Sequence, residues 1–383
     1  MAAIDDLVRP GMRVAVADGT GTPRALFGRL AAAAARVGGV GLVMGWTPHP
    51  EPGLDHRAFA DARTVMSGWG LRSAIADGAV RSVPTRLSAV PALLAGPLRP
   101  DLLVAGLVRG DDGLRFGSEV SWMRGLVAAG VPVAAVVSRG APHADAGPPL
   151  PEDGITVLDE VDDPPREVRI ELPGEVEKAI ARHVVALVPE GARVQVGPGR
   201  IGSAVLGAVE VPVRVDSGLL PEPIVDLDER GLLIDAFGAY MVGTRRLYSW
   251  AHDRPLLHPL EITHDPARLC AADPAPLIAC NTAVEIDLAG QVNVEGTASA
   301  LVGGVGGHPD YAEAGVRCPD GLSIVALASR HRGRSTLVER LSRPVTTASH
   351  DVDVVVTERG RADLRGMDRA ERTAALRALW GER

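Results

Sequence analysis

Two carboxylates, Glu285 and Asp287, stand at alternate positions in Asn281-Thr282-Ala283-Val284-Glu285-Ile286-Asp287-Leu288. Apolar Val284, Ile286 and Leu288 fill the places between them, the period-two pattern of a strand with one polar face. By pattern alone such carboxylates belong to a solvated face. What singles them out is the run that follows, Gly303-Gly304-Val305-Gly306-Gly307. Its glycines each give up roughly 0.5–1 kcal/mol of chain entropy relative to alanine. They lie between apolar Leu301-Val302 and polar His308-Pro309-Asp310-Tyr311, so close approach of backbone to a ligand explains them better than a surface linker does.

Other chemistries have little to work with. Lys178 is the only lysine, and its helical segment turns Val176, Ile180, Val184 and Leu187 to one apolar face, which leaves Lys178 on the solvated side. Schiff-base chemistry and a phosphate-gripping lysine are therefore nearly excluded. Cys270, Cys280 and Cys318 form no CxxC pair, against a disulfide framework or a structural zinc, and Cys280 reads as a small core residue. Gly19-Thr20-Gly21 and Gly197-Pro198-Gly199 each suit a phosphate, an oxyanion or a plain tight turn. The first does not complete GxGxxG; the second reaches that spacing with Gly202, but Pro198 removes a donor, so a redox dinucleotide is disfavoured.

The elements that must carry these residues are legible as a repeat. Pro10-Gly11-Met12-Arg13-Val14-Ala15-Val16 leads into the first glycine turn, and Pro189-Glu190-Gly191-Ala192-Arg193-Val194-Gln195-Val196 leads into the second. Each is a strand, a glycine turn and a helical pattern, the unit of doubly wound α/β folds. Further strands are expected at 102–105, 131–137, 323–327 and 352–357, and a helix at 369–380. The Pro-, Asp- and Gly-rich stretch 142–165 predicts irregular structure and a boundary. The fold expected is two tandem, related α/β domains with mainly parallel sheets, 1–165 and 166–383. Aromatics at 3% and a net charge of −8 argue against a nucleic-acid partner. No apolar run is long enough to span a bilayer and no leader is visible, so the reading is soluble and cytoplasmic.

The segment 281–310 resembles the acetyl-CoA hydrolase/transferase family of class I CoA-transferases, which includes 4-hydroxybutyrate, butyrate and succinate CoA-transferases. That family carries an N-S/T-A-x-E-x-D-x-x-G-x-V-N block and then a G-x-G-G loop, and both stand here in order. The resemblance extends to Gly243-Thr244-Arg245-Arg246-Leu247-Tyr248, to His350–Glu358 and to Leu364-Arg365-Gly366; it is good over about 170–383 and loose before that. It implies two related α/β domains, a homodimer, and Glu285 as the nucleophile. It further implies acyl-CoA and a small carboxylate as substrates, with coenzyme A passing through a glutamyl thioester. No metal and no permanently bound cofactor are expected.

On this reading Gly303, Gly304, Gly306 and Gly307 serve the oxyanion or contact CoA. Asn281 holds Glu285 by a hydrogen bond or is structural, and Asp287 orients, since two adjacent nucleophilic carboxylates would raise each other's pKa. Arg330, Arg332 and Arg334 receive the CoA phosphates or form a solvated basic face. The chain departs from the family at His308, where glutamine is usual, at Arg359 in place of tyrosine, and at Gly197-Pro198-Gly199-Arg200 in place of G-I-G-G. Two alternatives stand beside transfer: acyl-CoA hydrolysis by the same Glu285 with His308 as general base, and acyl-CoA binding without turnover.

Overall fold

The computed structural model describes residues 3–382. The chain forms two compact units, Met1–Val168 with Ala239–Glu261 and Arg169–Gly238 with Ile262–Arg383. The passage from one to the other falls at Val168/Arg169 rather than at 165/166, and 239–261 returns to the first unit. There Val120 N donates to Ala239 O (2.9 Å) and Met241 N to Ser118 O (3.1 Å).

In the first unit β1 (Arg13–Val16), β2 (Gly41–Met44), β3 (Asp61–Thr64), β4 (Arg81–Ser82), β5 (Leu102–Gly110), β7 (Val133–Ser138) and β8 (Ile155–Val161) form a parallel sheet in the order β4-β3-β2-β1-β5-β7-β8. β6 (Gly113–Arg115) folds back antiparallel on β5. β8 corrects the expectation of irregular chain over 142–165. The prolines of that stretch all lie outside β8, at 142, 148, 149, 151, 164 and 165, so no ladder donor is lost and the segment joins as an edge strand. After β1 comes α1 (Arg24–Val37), whose Leu26, Phe27, Leu30, Ala33 and Ala34 recur at helical spacing and bury against Val14, Val16, Leu42, Val104 and Val136.

The second unit begins with α2 (Glu175–Val185), in which Ile180 and Val184 are buried while Lys178 pairs with Glu175 at 2.9 Å in solvent. Val176, expected on the apolar face, is exposed in its first turn. The main sheet runs β11 (Leu233–Phe237), β10 (Val213–Asp216), β9 (Arg193–Val196), β12 (Leu277–Thr282), β15 (Leu322–Ala326), β19 (Val354–Thr357) and β20 (Gly360–Asp363). All its pairings are parallel except β19 with β20. A small sheet holds β13 (Glu285–Asp287) between β14 (Val292–Asn293) and β18 (Leu337–Val338), and β16 (Arg330–His331) and β17 (Arg334–Ser335) make a hairpin. Helices α3 (Arg200–Ala208), α4 (His308–Arg317) and α5 (Arg369–Trp380) complete the elements needed below.

Both sheets share one logic. The chain builds outward from β1 through β2 to β4 and then crosses to β5; it builds outward from β9 through β10 to β11 and then crosses to β12. The reversals lie between β1 and β5 and between β9 and β12. Ligands enter doubly wound sheets at the carboxyl ends of strands at such points. Gly19-Thr20-Gly21 and Gly197-Pro198-Gly199 occupy them, and Glu285 follows β12 directly. Among the described residues no helix is long and apolar enough to cross a membrane.

Candidate active site

Glu285 is carried by β13, three residues beyond the parallel strand β12, and its neighbour across the ladder is Asn293. It is buried, at 9% exposure, so the solvated-face alternative does not hold for it; Asp287 is buried too. One carboxylate oxygen takes every bond. Oε1 accepts from Asn293 Nδ2 (2.8 Å), from the Ser342 backbone N–H (2.5 Å) and from Ser342 Oγ (2.8 Å). Oε2 accepts none among the described residues. Asn293 is itself locked: it is fully buried, its amide also donates to Gly296 O (2.7 Å), and its Oδ1 takes the Glu295 N–H (2.9 Å). A buried carboxylate fixed through one oxygen and open at the other is placed for nucleophilic attack.

Of the two roles left open for Asn281, holding Glu285 or a structural one, its hydrogen bonding supports the structural one. Its Oδ1 accepts from Gln195 Nε2 (3.2 Å), because β9 sets Gln195 opposite Ala279 and Asn281 follows two residues on, on the same face of β12. Asn293 takes the holding role instead, and its place at the end of the N-S/T-A-x-E-x-D-x-x-G-x-V-N block was the signal available in the sequence; Ser342, fifty-seven residues from Glu285, gave none. Asp287 closes the β13–β14 turn. Its Oδ1 accepts from Ala289 N (3.0 Å) and Gln291 N (2.8 Å), and its Oδ2 from Gln291 Nε2 (2.7 Å).

The glycine loop is fastened at both ends to β14 and the residues just after it. At its start, Val302 N and Gly303 N donate to Glu295 O (2.8 and 3.1 Å). At its end, His308 Nδ1 lies 2.6 Å from Thr347 Oγ1, and Thr347 O accepts from Val292 N (3.0 Å). Gly306 has φ +61, where a side chain is strained, and Gly307 caps α4. Gly306 stands at an isolated β-bridge and Gly307 at the N-cap, so the loop brings backbone amides to a helix start. His308, the first residue of α4, is buried with Nε2 unpartnered, and burial pushes its imidazole down to about 4.

Sequence reasoning missed His264. It is 1% exposed, its Nδ1 is 2.9 Å from Thr263 Oγ1, and its Nε2 has no partner. Burial pushes this imidazole down to about 3, so it is neutral near pH 7. A Cβ at Gly307 would lie 2.5 Å from that Nε2 and one at Gly218 would lie 2.9 Å from it. The ring also meets Tyr311 edge-on at 5.2 Å. Gly307 is thus required by packing as well as by any ligand.

The corresponding turn of the first unit is already filled. Glu119 Oε2 accepts from Thr20 N (3.0 Å), and its two oxygens take Gly21 N at 3.1 and 3.2 Å. Beside it Asp18 Oδ2 accepts from Tyr240 Oη (2.9 Å), Trp122 Nε1 (3.0 Å) and Trp46 N (3.2 Å). Desolvation raises Glu119 to about 7 and Asp18 to about 6. The turn at Gly19–Gly21 therefore holds a carboxylate of its own chain in place of the phosphate or oxyanion entertained above. Arg330, Arg332 and Arg334 lie on the exposed β16–β17 hairpin, and among the described residues none is in an ion pair.

A family model, the acetyl-CoA hydrolase/transferase C-terminal domain, matches residues 243–379. The chain is 28% identical over 218 residues to the 4-hydroxybutyrate coenzyme A transferase of Clostridium kluyveri, covering 53% of this chain and 51% of that one. It is 26% identical over 353 residues to a succinyl-CoA:acetate/propanoyl-CoA:succinate CoA transferase of Fasciola hepatica, covering 86% and 73%. The acetyl-CoA hydrolase of Neurospora crassa is 27% identical over 201 residues, covering 48% and 36%. The chain thus spans about half the length of the first of these relatives. The crystal structure of RipA from Yersinia pestis superposes with a TM-score of 0.86 at 21% identity, covering 99% of this chain and 93% of that one, a likeness of fold.

Proposed function

We propose that the chain, as a member of the acetyl-CoA hydrolase/transferase family whose C-terminal model and relatives it matches, moves coenzyme A between an acyl-CoA and a small carboxylic acid through a thioester on Glu285. The observation that carries this reading is the one-sided anchoring of the Glu285 carboxylate.

Glu285 Oε2 attacks the thioester carbonyl, and the C–S bond breaks to release CoA thiolate and leave a mixed anhydride. The thiolate then attacks the glutamyl carbonyl. The free acid departs with the bridging oxygen, and glutamyl-CoA remains with Oε1 as its carbonyl oxygen. An acceptor carboxylate reverses both steps and leaves as its own CoA ester. Each attack on the glutamyl carbonyl puts negative charge on Oε1, where Asn293 and Ser342 already direct three donors; such preorganised donors are worth about 3–4 kcal/mol each when removed singly. The backbone amides of Gly304, Gly306 and Gly307 serve the other oxyanion, on the acyl carbon. Arg330, Arg332 and Arg334 take the CoA phosphates, since guanidinium binds phosphate in a bidentate fork. The enzyme works as a cytoplasmic homodimer, with no bound cofactor besides its CoA substrate.

Hydrolysis of acyl-CoA is the second reading. His308 favours it: an imidazole neutral at pH 7 with a free Nε2, at the end of the loop, is able to accept a proton from water. Intact mass after incubation with acetyl-CoA or butyryl-CoA tests both. A CoA-sized adduct that is absent in Glu285→Ala and discharges onto added carboxylate supports transfer. Steady CoA release without an acceptor supports hydrolysis, and neither adduct nor release for any acyl group refutes both.

A further inference from the structure

We infer that His143, His252 and Asp253 of the first unit form a binding site for a borderline transition-metal dication such as zinc, apart from the chemistry at Glu285. The two histidines stand 109 residues apart in sequence. The fold stacks their rings with centroids 4.9 Å apart and planes inclined at 46°. The Asp253 carboxylate forks between them: Oδ1 is 3.6 Å from His143 Nδ1, and Oδ2 is 3.6 Å from His252 Nε2.

Those separations are informative. A nitrogen–oxygen hydrogen bond closes to about 2.7–3.2 Å, so neither contact is one. Ligands held about 2.0–2.1 Å from a tetrahedral zinc lie about 3.3 Å from each other. The carboxylate edges are near that spacing, and all three donor atoms lie within 4.8 Å of one another. The side chains that must close the remaining gap are free to turn, His252 being half exposed and Asp253 largely so. The backbone beneath them is not. Leu257 N donates to Ala144 O (2.9 Å), Ala146 N donates to Leu257 O (2.9 Å), and both Ala144 and Leu257 are fully buried. A rigid base with adjustable donors suits a metal site.

Two imidazoles and one carboxylate select zinc, cobalt, nickel or copper over magnesium and calcium. They also leave a fourth position to water. His252 Nδ1 now accepts the His143 amide N–H at 3.3 Å. Ligation through Nε2 places the ring proton on Nδ1 and gives up that long bond. The nearby Arg254 guanidinium stacks on Trp250 at 4.6 Å.

The test is calorimetric titration of the chelator-treated full-length chain with zinc sulfate, repeated with cobalt for its visible tetrahedral absorption. One zinc per chain with micromolar or tighter affinity is expected. Asp253→Asn should weaken binding at least tenfold, and His143→Ala/His252→Ala should abolish it and the cobalt band. Should the double variant fail to fold, His252→Gln on its half-exposed side chain replaces it. Absence of saturable binding, or unchanged affinity and stoichiometry in Asp253→Asn and the histidine variants, overturns the site.

Discussion

Ser342→Ala removes one hydroxyl donor from Glu285 Oε1 and leaves the 2.5 Å backbone donor of the same residue and the 2.8 Å amide of Asn293 in place. Loss of one oxyanion donor costs about 10²–10³ in kcat. The low end applies here, on the order of 10², because two donors remain and Ser342 is exposed enough for water to substitute in part. Stability should move by less than about 0.5 kcal/mol, the usual effect of an exposed substitution. KM for acyl-CoA should hold nearly constant, since the serine touches the glutamate rather than the substrate. Rapid-quench mass spectrometry, following formation and discharge of the adduct on Glu285, separates the two half-reactions. Both should slow together, because charge gathers on Oε1 in each. A kcat within threefold of the parent, or a loss confined to KM, would refute the assignment of Oε1 as the anchored, charge-bearing oxygen.

Two other perturbations follow from the geometry. Gly307→Ala drives a methyl to 2.5 Å from His264 Nε2; thermal denaturation should show a marked loss of stability, largely restored by adding His264→Ala, and a Gly307→Ala chain as stable as the parent would contradict the packing. The raised Glu119 works in the opposite sense from a salt-bridged acid. Its folded pKa, about 7, exceeds its unfolded value near 4.5, so the folded chain holds the extra proton between those limits and the group's contribution falls as pH rises through that window. Glu119→Gln, which carries no charge at any pH, should therefore gain stability relative to the parent from pH 5 to pH 8, and parallel melting curves would sink the argument.

Much of the fold was legible because it repeats simple rules. Strand, glycine turn and helix recur at Arg13 and at Arg193, and both copies lead to a sheet reversal. The carboxylate on β13 and the loop before α4 announced themselves by alternation and by glycine density. The missing parts were long-range or depended on what packs where. Ser342 meets Glu285 only because β18 lies beside β13, and nothing near Ser342 in sequence says so. Asn281 and Asn293 look alike as candidates; strand register decides between them, since Asn293 faces Glu285 across an antiparallel pair while Asn281 lies in the main sheet against Gln195. β8 was hidden by the prolines on either side of it, which composition counts and a ladder ignores. The filling of the Gly19–Gly21 turn by Glu119 spans 98 residues or more.

Anchoring Glu285 through one oxygen gives its two oxygens different fates over many turnovers. On the proposed cycle the departing acid carries off the free oxygen, and the next acceptor supplies its replacement, so that atom is exchanged every time. The oxygen gripped by Asn293 and Ser342 stays as the thioester carbonyl and is never handed on. With an oxygen-18 acceptor the enzyme becomes half-labelled at this residue and stops there for as long as the grip outlasts the cycle. The carboxylate, symmetric in free glutamate, keeps a lasting isotopic memory of which side was held.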